Sequence, residues 1–388
     1  MPESREDPFV LRLDGVDWAF WKSCDVTVEM DAVCGAFNIQ SADPQGGGYK
    51  GGATALPVSA GMECEVLIGD SLVLTGYIDK VSPSLSATDH GIAISGRSRA
   101  ADMVDCSAVH KPGHWLNQNA LQLATILAAP FGLSVQSVGD VGAPFPSFKL
   151  EQGETAYEAL DRILKQRELL ACSWSDGGIV LLKAGALQNP GTLEQGVNIL
   201  SASASYDMTD RYSDYLVQGQ EPGSDDAWGK SVAQVHAEAK DDAVTRYRPL
   251  IVRAESRVDA AGAKQRAAWE CSVRAARAVT VTVTVQGFRD APGGAIWQEN
   301  SMTGVKIPYL GIAQSLVTSR VTYRRDAQGG STTVMELKDP KAFQPEPKKA
   351  SGAAGQARAL NVEKEVDLQQ RQAQQARSEQ QAIKKGAK

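Results

Sequence analysis

The chain has 388 residues, 43% hydrophobic and 22% charged, which is a folded-protein composition on a length that calls for two to four domains. Its net charge of −6 is uneven: from residue 341 onward ten Lys/Arg face five Asp/Glu, a surplus of five that leaves −11 for the rest. An acidic body excludes specific nucleic-acid binding, which needs a basic face, and no apolar run reaches the roughly 18 residues of an integral membrane span.

The opening "MPESREDPFVLRL" lacks a basic segment followed by an apolar one, so synthesis and folding in a cytosol are expected. From residue 8 to 97, "FVLRLDG", "CDVTVEMD", "CGAFNIQS", "MECEVLIGD", "SLVLTGYIDKV" and "GIAISGR" alternate apolar and polar positions. Period two at this spacing predicts a sheet folded or closed on itself. In the second segment Val26, Val28 and Met30 share one face and Asp25, Thr27 and Glu29 the other, so one face is buried and one wet or partnered. Residues 42–57, "ADPQGGGYKGGATALP", form a Gly-rich loop that is mobile or ordered by a partner, with Gly47, Tyr49 and Lys50 as candidate contacts. It is no phosphate loop, because Lys50 is followed by Gly51 rather than Ser or Thr.

The stretch Gly96-Arg97-Ser98-Arg99-Ala100 comes close to the G-x-S-x-G elbow of a serine hydrolase. No run of βα units surrounds it, so Ser98 is expected to cap the helix "RAADMVD", without the reciprocal capping box because Ala101 stands at the third position. His110 and His114 have zinc-helix spacing, but Pro112 and Gly113 between them predict a loop; His236 sits in a polar stretch. The six cysteines (Cys24, Cys34, Cys64, Cys106, Cys172, Cys271) make no C-x-x-C pair and are expected as buried free thiols. Asp225-Asp226 and Asp241-Asp242 read as solvated surface, so no catalytic constellation, metal site or cofactor motif is expected.

Residues 106–195 read as a compact α+β module. Leu121, Ala124, Leu127 and Ala128 form a helical stripe stopped at Gly132; a second helix begins at Glu154-Thr155 and buries Ala156, Leu160, Ile163 and Leu164; a hairpin turns at Asp176-Gly177-Gly178. Residues 196–342 return to strands: "VNILSASASYD", "DYLVQGQE", "TRYRPLIVRA", "AVTVTVTVQGF", "SLVTSRVTYRRD" and "STTVMELKD", interrupted by the helix "DAAGAKQRAAWECSVRAARA". In "AVTVTVTVQGF" Val281, Val283 and Val285 share a face with threonines opposite, and both faces must be occupied or managed, because an exposed strand of this kind aggregates. Residues 343–388 are a linker and a basic, Gln-rich arm, helical against a partner or frayed alone.

The N-terminal "FVLRLDGVDWAFWKSCDVTVEMDAVCGAFNI", the motif Gly76-Tyr77-Ile78-Asp79 followed by Gly96-Arg97-Ser98 and Asp102, and the unit "GETAYEALDRILKQRELLACSWSDGGIVLL" resemble the Mu-type baseplate hub proteins of contractile phage tails. That group is similar in fold to the T-even hub and to late-control protein D, and the resemblance spans about residues 8 to 340. It implies a mainly β fold: a first β-barrel domain (1–105), the α+β module (106–195), a second barrel with a helical insertion (196–342), then the arm. It further implies a homotrimer of six barrels in the virion, joining a three-fold tail spike to a six-fold tail tube or tube-initiator protein, with baseplate wedge and tape-measure proteins as further neighbours. Candidate interface residues on this reading are Val281, Val283, Val285, Gly47, Tyr49 and Lys50. The competing class is a phage-encoded serine hydrolase or cell-wall-degrading tail enzyme. A spike-fused hub of the secretion type is disfavoured, because no repetitive β-helix follows residue 340.

Overall fold

A computed structural model describes residues 7–18, 21–42, 58–87, 90–219, 235–253, 260–344 and 346. The first β region yields β1 (Phe9–Leu13), β2 (Val16–Trp18), β3 (Ser23–Glu29), β4 (Ala36–Ala42), β5 (Glu63–Ile68), β6 (Ser71–Leu85) and β7 (His90–Ser98). They pair antiparallel in the order β3-β4-β7-β6-β5-β1-β2. Alternation does what it predicts: along β3 the inward Cys24, Val26 and Val28 are buried and their neighbours are not. The register between β6 and β7 slips between Ile78 and Lys80. Glycine is required where the two strands cross: a Cβ on Gly76 would strike the Arg97 carbonyl, and one on Gly96 the Tyr77 carbonyl and the Phe37 ring.

The chain then builds α1 (Ala101–Asp105), β8 (His114–Gln118), α2 (Ala120–Ala128), β9 (Val135–Ser137), β10 (Phe145–Lys149), α3 (Ala156–Lys165), β11 (Leu170–Ser173) and β12 (Ile179–Leu182). β8 pairs with β10, and β12 lies between β11 and β9. Both longer helices start with reciprocal capping boxes, Asn119 with Gln122 and Thr155 with Glu158. Their apolar stripes meet in a core of their own around Met103, Leu127, Phe148, Leu160 and Leu181. On α2 Ala124, Leu127 and Ala128 are buried as expected, but Leu121 is only half-buried and Ala120 and Leu123 complete the buried face. His114 lies in β8 rather than in a loop.

The second β region comprises β13 (Leu187–Glu194), β14 (Ile199–Tyr206), β15 (Asp214–Gly219), β16 (Val235–Lys240), β17 (Pro249–Arg253), α4 (Ala260–Arg277), β18 (Val279–Gln286), β19 (Ser301–Ile307), β20 (Ile312–Asp326) and β21 (Gly330–Lys338). β15 lies between β16 and β17 in a small separate sheet, on which α4 packs Ala263 and Ala267 against Val217 and Val235. The other six follow the path β14-β18-β21-β20-β19-β13. This is the path β3-β4-β7-β6-β5-β1 of the first region, with strands taken in the same chain order. One difference is that β13 runs parallel to β19, whereas β1 is antiparallel to β5.

The two regions are not separate bodies. β3 pairs with β20 and fuses both paths into one 13-stranded sheet over a shared core. Among the described residues neither path returns to its own first strand, so closure into the two expected barrels is not seen there, and the two halves are joined edge to edge. β13 belongs to the second half, so the chain leaves the α+β module before residue 187 rather than at 195. Of the expected arm, Phe343 and Gln344 pack against the body: Trp269 Nε1 donates to the Gln344 carbonyl at 3.1 Å, and Phe343 joins a small core with Met30 and Val317. Residues beyond 346 lie outside the described residues.

Candidate functional site

Ser98 is fully buried at the end of β7. Its amide donates to the Gly35 carbonyl at 2.9 Å, and its Oγ accepts the Gly35 amide at 3.2 Å. It therefore latches the β3–β4 turn and caps nothing: the N-cap of α1 is Ala100, with no side-chain cap bond. The arginine before it, unusual beside a nucleophile, clamps the crossing. Arg97 reaches Asp79 at the register slip (2.7 Å) and binds Asp105 of α1 through two bonds, of 2.7 and 3.2 Å. The Arg97 hydrogen bonds hold the Asp105 carboxyl below its usual range.

The histidines do not converge. His110 packs edge-on against Trp115, where burial lowers its pKa; His114 Nε2 lies 2.9 Å from Ser147 Oγ; His236 is on β16. Asp241 is no solvated carboxylate, since it is buried and bound by Arg211 through bonds of 2.6 and 3.0 Å, which lower its pKa. Asp225-Asp226 lie outside the described residues. Cys24, Cys64 and Cys172 are buried thiols, with burial pushing Cys64 up to about 12, but Cys106 is exposed and Cys34 and Cys271 are half-buried. Among the described residues no group of three or more His, Cys, Asp and Glu is placed to hold a metal ion.

The surfaces are more informative. Val281, Val283 and Val285, expected at an interface, are buried within this chain's own core, because β18 presents its valines to the same layer as Leu337 and Tyr323. The face left outward on β18 is that of Thr280, Thr282 and Thr284, all half-buried. Gly47, Tyr49 and Lys50 lie outside the described residues. The threonine face continues through the ladder: Ser203, Thr282, Glu336, Arg320 and Glu29 stand in one row across five strands. Where the halves meet, this face is a ladder of side-chain pairs. Arg320 bridges Glu29 at 2.7 Å and Glu336 at 3.0 Å, Arg324 bridges Asp25 at 2.7 Å, and Thr27 Oγ1 lies 3.1 Å from Thr322 Oγ1. The wet side of β3 is therefore the partnered one, and its partner is the second half of the same chain. Sequence reasoning could not place this contact, because Thr27 and Thr322 are 295 residues apart. Among the described residues the open edges of the joined sheet are the outer edges of β14, β2 and β13, and β6 beyond Ile78, where its pairing with β5 has ended.

Four family models match along the chain in order. They are "Mu phage baseplate assembly protein GpP-like, N-terminal" (residues 9–98), "Baseplate hub protein gp44-like, second domain" (100–183), "Tail protein NMB1110-like, third domain" (211–268) and "Mu phage baseplate assembly protein GpP, fourth domain" (259–346). The first two limits coincide with β1–β7 and α1–β12. The chain is similar to the baseplate hub protein gp44 of Escherichia phage Mu, 32% identical over 86% of this chain and 88% of the relative. Among solved structures it is similar to the 43 kDa tail protein of prophage MuSo2 from Shewanella oneidensis, with TM-score 0.77 and 30% identity over 88% of this chain and 100% of that one. It also resembles in fold the tail protein from Neisseria meningitidis MC58, with TM-score 0.71 and 23% identity over 88% and 98% of the two chains.

Proposed function

We propose, for a chain that belongs to the family of Mu-type phage baseplate hub proteins, that three copies form a ring joining a three-fold spike to the six-fold tube of a contractile tail. The observation that carries this reading is the repeated strand path. One chain presents two six-stranded halves built in the same order, so three chains present six and match six-fold and three-fold neighbours at once. The polar row from Ser203 to Glu29 then faces the lumen, while the α+β module and the small sheet of β15–β17 stand outside the ring. The role is structural and needs no cofactor. A hydrolase reading has no observation in its favour, since the Ser98 hydroxyl is spent on a backbone amide inside the sheet.

The test is the mass of the purified full chain by light scattering, alone and co-expressed with the spike and tube-initiator proteins. Three hub chains per complex are expected. A chain that stays monomeric with both partners present, or a hydrolytic activity lost on changing Ser98, overturns the reading.

A further inference from the structure

The junction inside the chain supplies a template for the junction between chains. β6 and β20 are each 15 residues long, and each slips register once against its next neighbour, at Ile78/Lys80 and at Thr318/Arg320. Superposing the slips sets Lys80 on Arg320 and Ser82 on Thr322. The same ladder is followed outward through Gly96, Phe37 and Val26 in one half and through Leu337, Val281 and Ala204 in the other. It sets Val26 on Ala204, hence Thr27 on Ser205 and Glu29 on Asp207. In the first half β3 is closed by the far end of β20, but β14, its counterpart, has an open edge, and so has the far end of β6, the counterpart of β20.

We infer that β14 of one copy adds antiparallel to residues 80–85 of β6 in the next, repeating between chains the β3–β20 junction found within one. This deepens the ring reading and rests on it. The repeat sets Lys80 against Asp207 where Arg320 meets Glu29, and Ser82 against Ser205 where Thr322 meets Thr27, so charge and polarity match at both rungs. Lys80 is exposed and has no ion-pair partner among the described residues, and exposed Asp207 turns only Oδ1 toward Thr209. Pro83 has no N–H, so the added strand gains no donor from that position and the junction rests on the other residues of 80–85. Because the two edges differ, the contact is head-to-tail and generates a closed ring or an open filament.

The experiment pairs Ser82→Cys with Ser205→Cys in the full chain. Directly opposed residues of an antiparallel pair stand about 4.5–5.5 Å apart at Cα, within disulfide reach. After oxidation a non-reducing gel is expected to show covalent species up to three chains for the double variant and none for either single one. Independently, Lys80→Glu and Asp207→Lys each lower the trimer fraction several-fold, and together restore it, with melting curves confirming that each variant folds. A trimer by mass without cross-links or charge rescue overturns the strand junction and leaves the ring. A monomer in solution and with its partners overturns the ring itself, and a cross-linked series running past three overturns closure.

Discussion

The Ser98 hydroxyl meets the Gly35 amide where water does not reach. Ser98→Ala leaves that amide without its side-chain acceptor, and a buried unpaired donor costs about 1–3 kcal/mol. Urea unfolding of the variant is expected to show a loss in this range; an unchanged midpoint would mean that another group takes over the amide. A second residue sets the pH response. Burial raises the Glu299 carboxyl from its ordinary 4.5 to about 7, at the wall of a cavity it shares with Trp174, Arg289 and Tyr323. The folded state therefore holds this proton more tightly than the unfolded chain does, so the contribution is complete below about 4.5 and is lost as pH rises through 7. Asp17, Asp105 and Asp241 act oppositely. Hydrogen bonds from Arg12, Arg97 and Arg211 lower their pKa values, and their contribution is lost as pH falls below the carboxylate range. Thermal melts across pH are expected to peak between these limits. Glu299→Gln flattens the decline from pH 5 to 8 and leaves the acid side unchanged; a decline that persists in this variant assigns it to another group.

Strand β18 and the 3-10 turn Pro340–Phe343 after β21 define what elements tolerate. Val283→Asp would put a carboxylate in a fully buried layer, at a cost of several kcal/mol, so loss of assembly in that variant reports a failed fold and not an interface. At the chain's far end, the Arg277 Nε–Ala342 and Trp269 Nε1–Gln344 bonds tie the turn to α4. A chain ending at Glu346 is expected to melt with the full chain, and one ending at Ala342 several degrees lower, because it loses Phe343 packing and the Trp269 bond; equal melting of both would show that this contact stabilises nothing. The limit of the core at residue 342 was thus nearly legible from composition, but the last two packed residues look like linker. Strands with clean alternation, such as β3 and β18, were legible throughout. β13 was not, because Asn189-Pro190-Gly191 inside it has turn chemistry, absorbed in the structure by a slip between Gln188 and Thr192. Nor were β16, with alanines for large apolar residues, and β19, interrupted by Gly304. The Val and Thr faces of β18 were legible as two faces, but which one meets a neighbour depends on which layer holds the core, and local alternation carries no such information.

At the scale of the whole molecule, the fused sheet and the α+β module should behave as different folding units. The core of the module draws nearly all its members from residues 100–181, with Val33 reaching in from the β3–β4 turn, and its helices carry their own capping boxes. The sheet core draws on both halves: Val26 and Ile39 from one side, Val283, Tyr323 and Leu337 from the other. An excised segment 100–184 therefore keeps its main core and loses the contact with Val33 and the small core in which Cys172, Val180 and Leu182 meet Met30 and Val317, whereas residues 7–98 alone expose the β3 edge and half of a shared apolar layer. The module is expected to be soluble, to show helical circular dichroism and to melt cooperatively, while the first β half alone aggregates or stays unfolded. Adding residues 187–346 in trans should rescue it if the β3–β20 junction forms between separate pieces. A first half that folds and stays monomeric by itself would mean that the junction joins two independent bodies, and the single cooperative sheet would then be wrong.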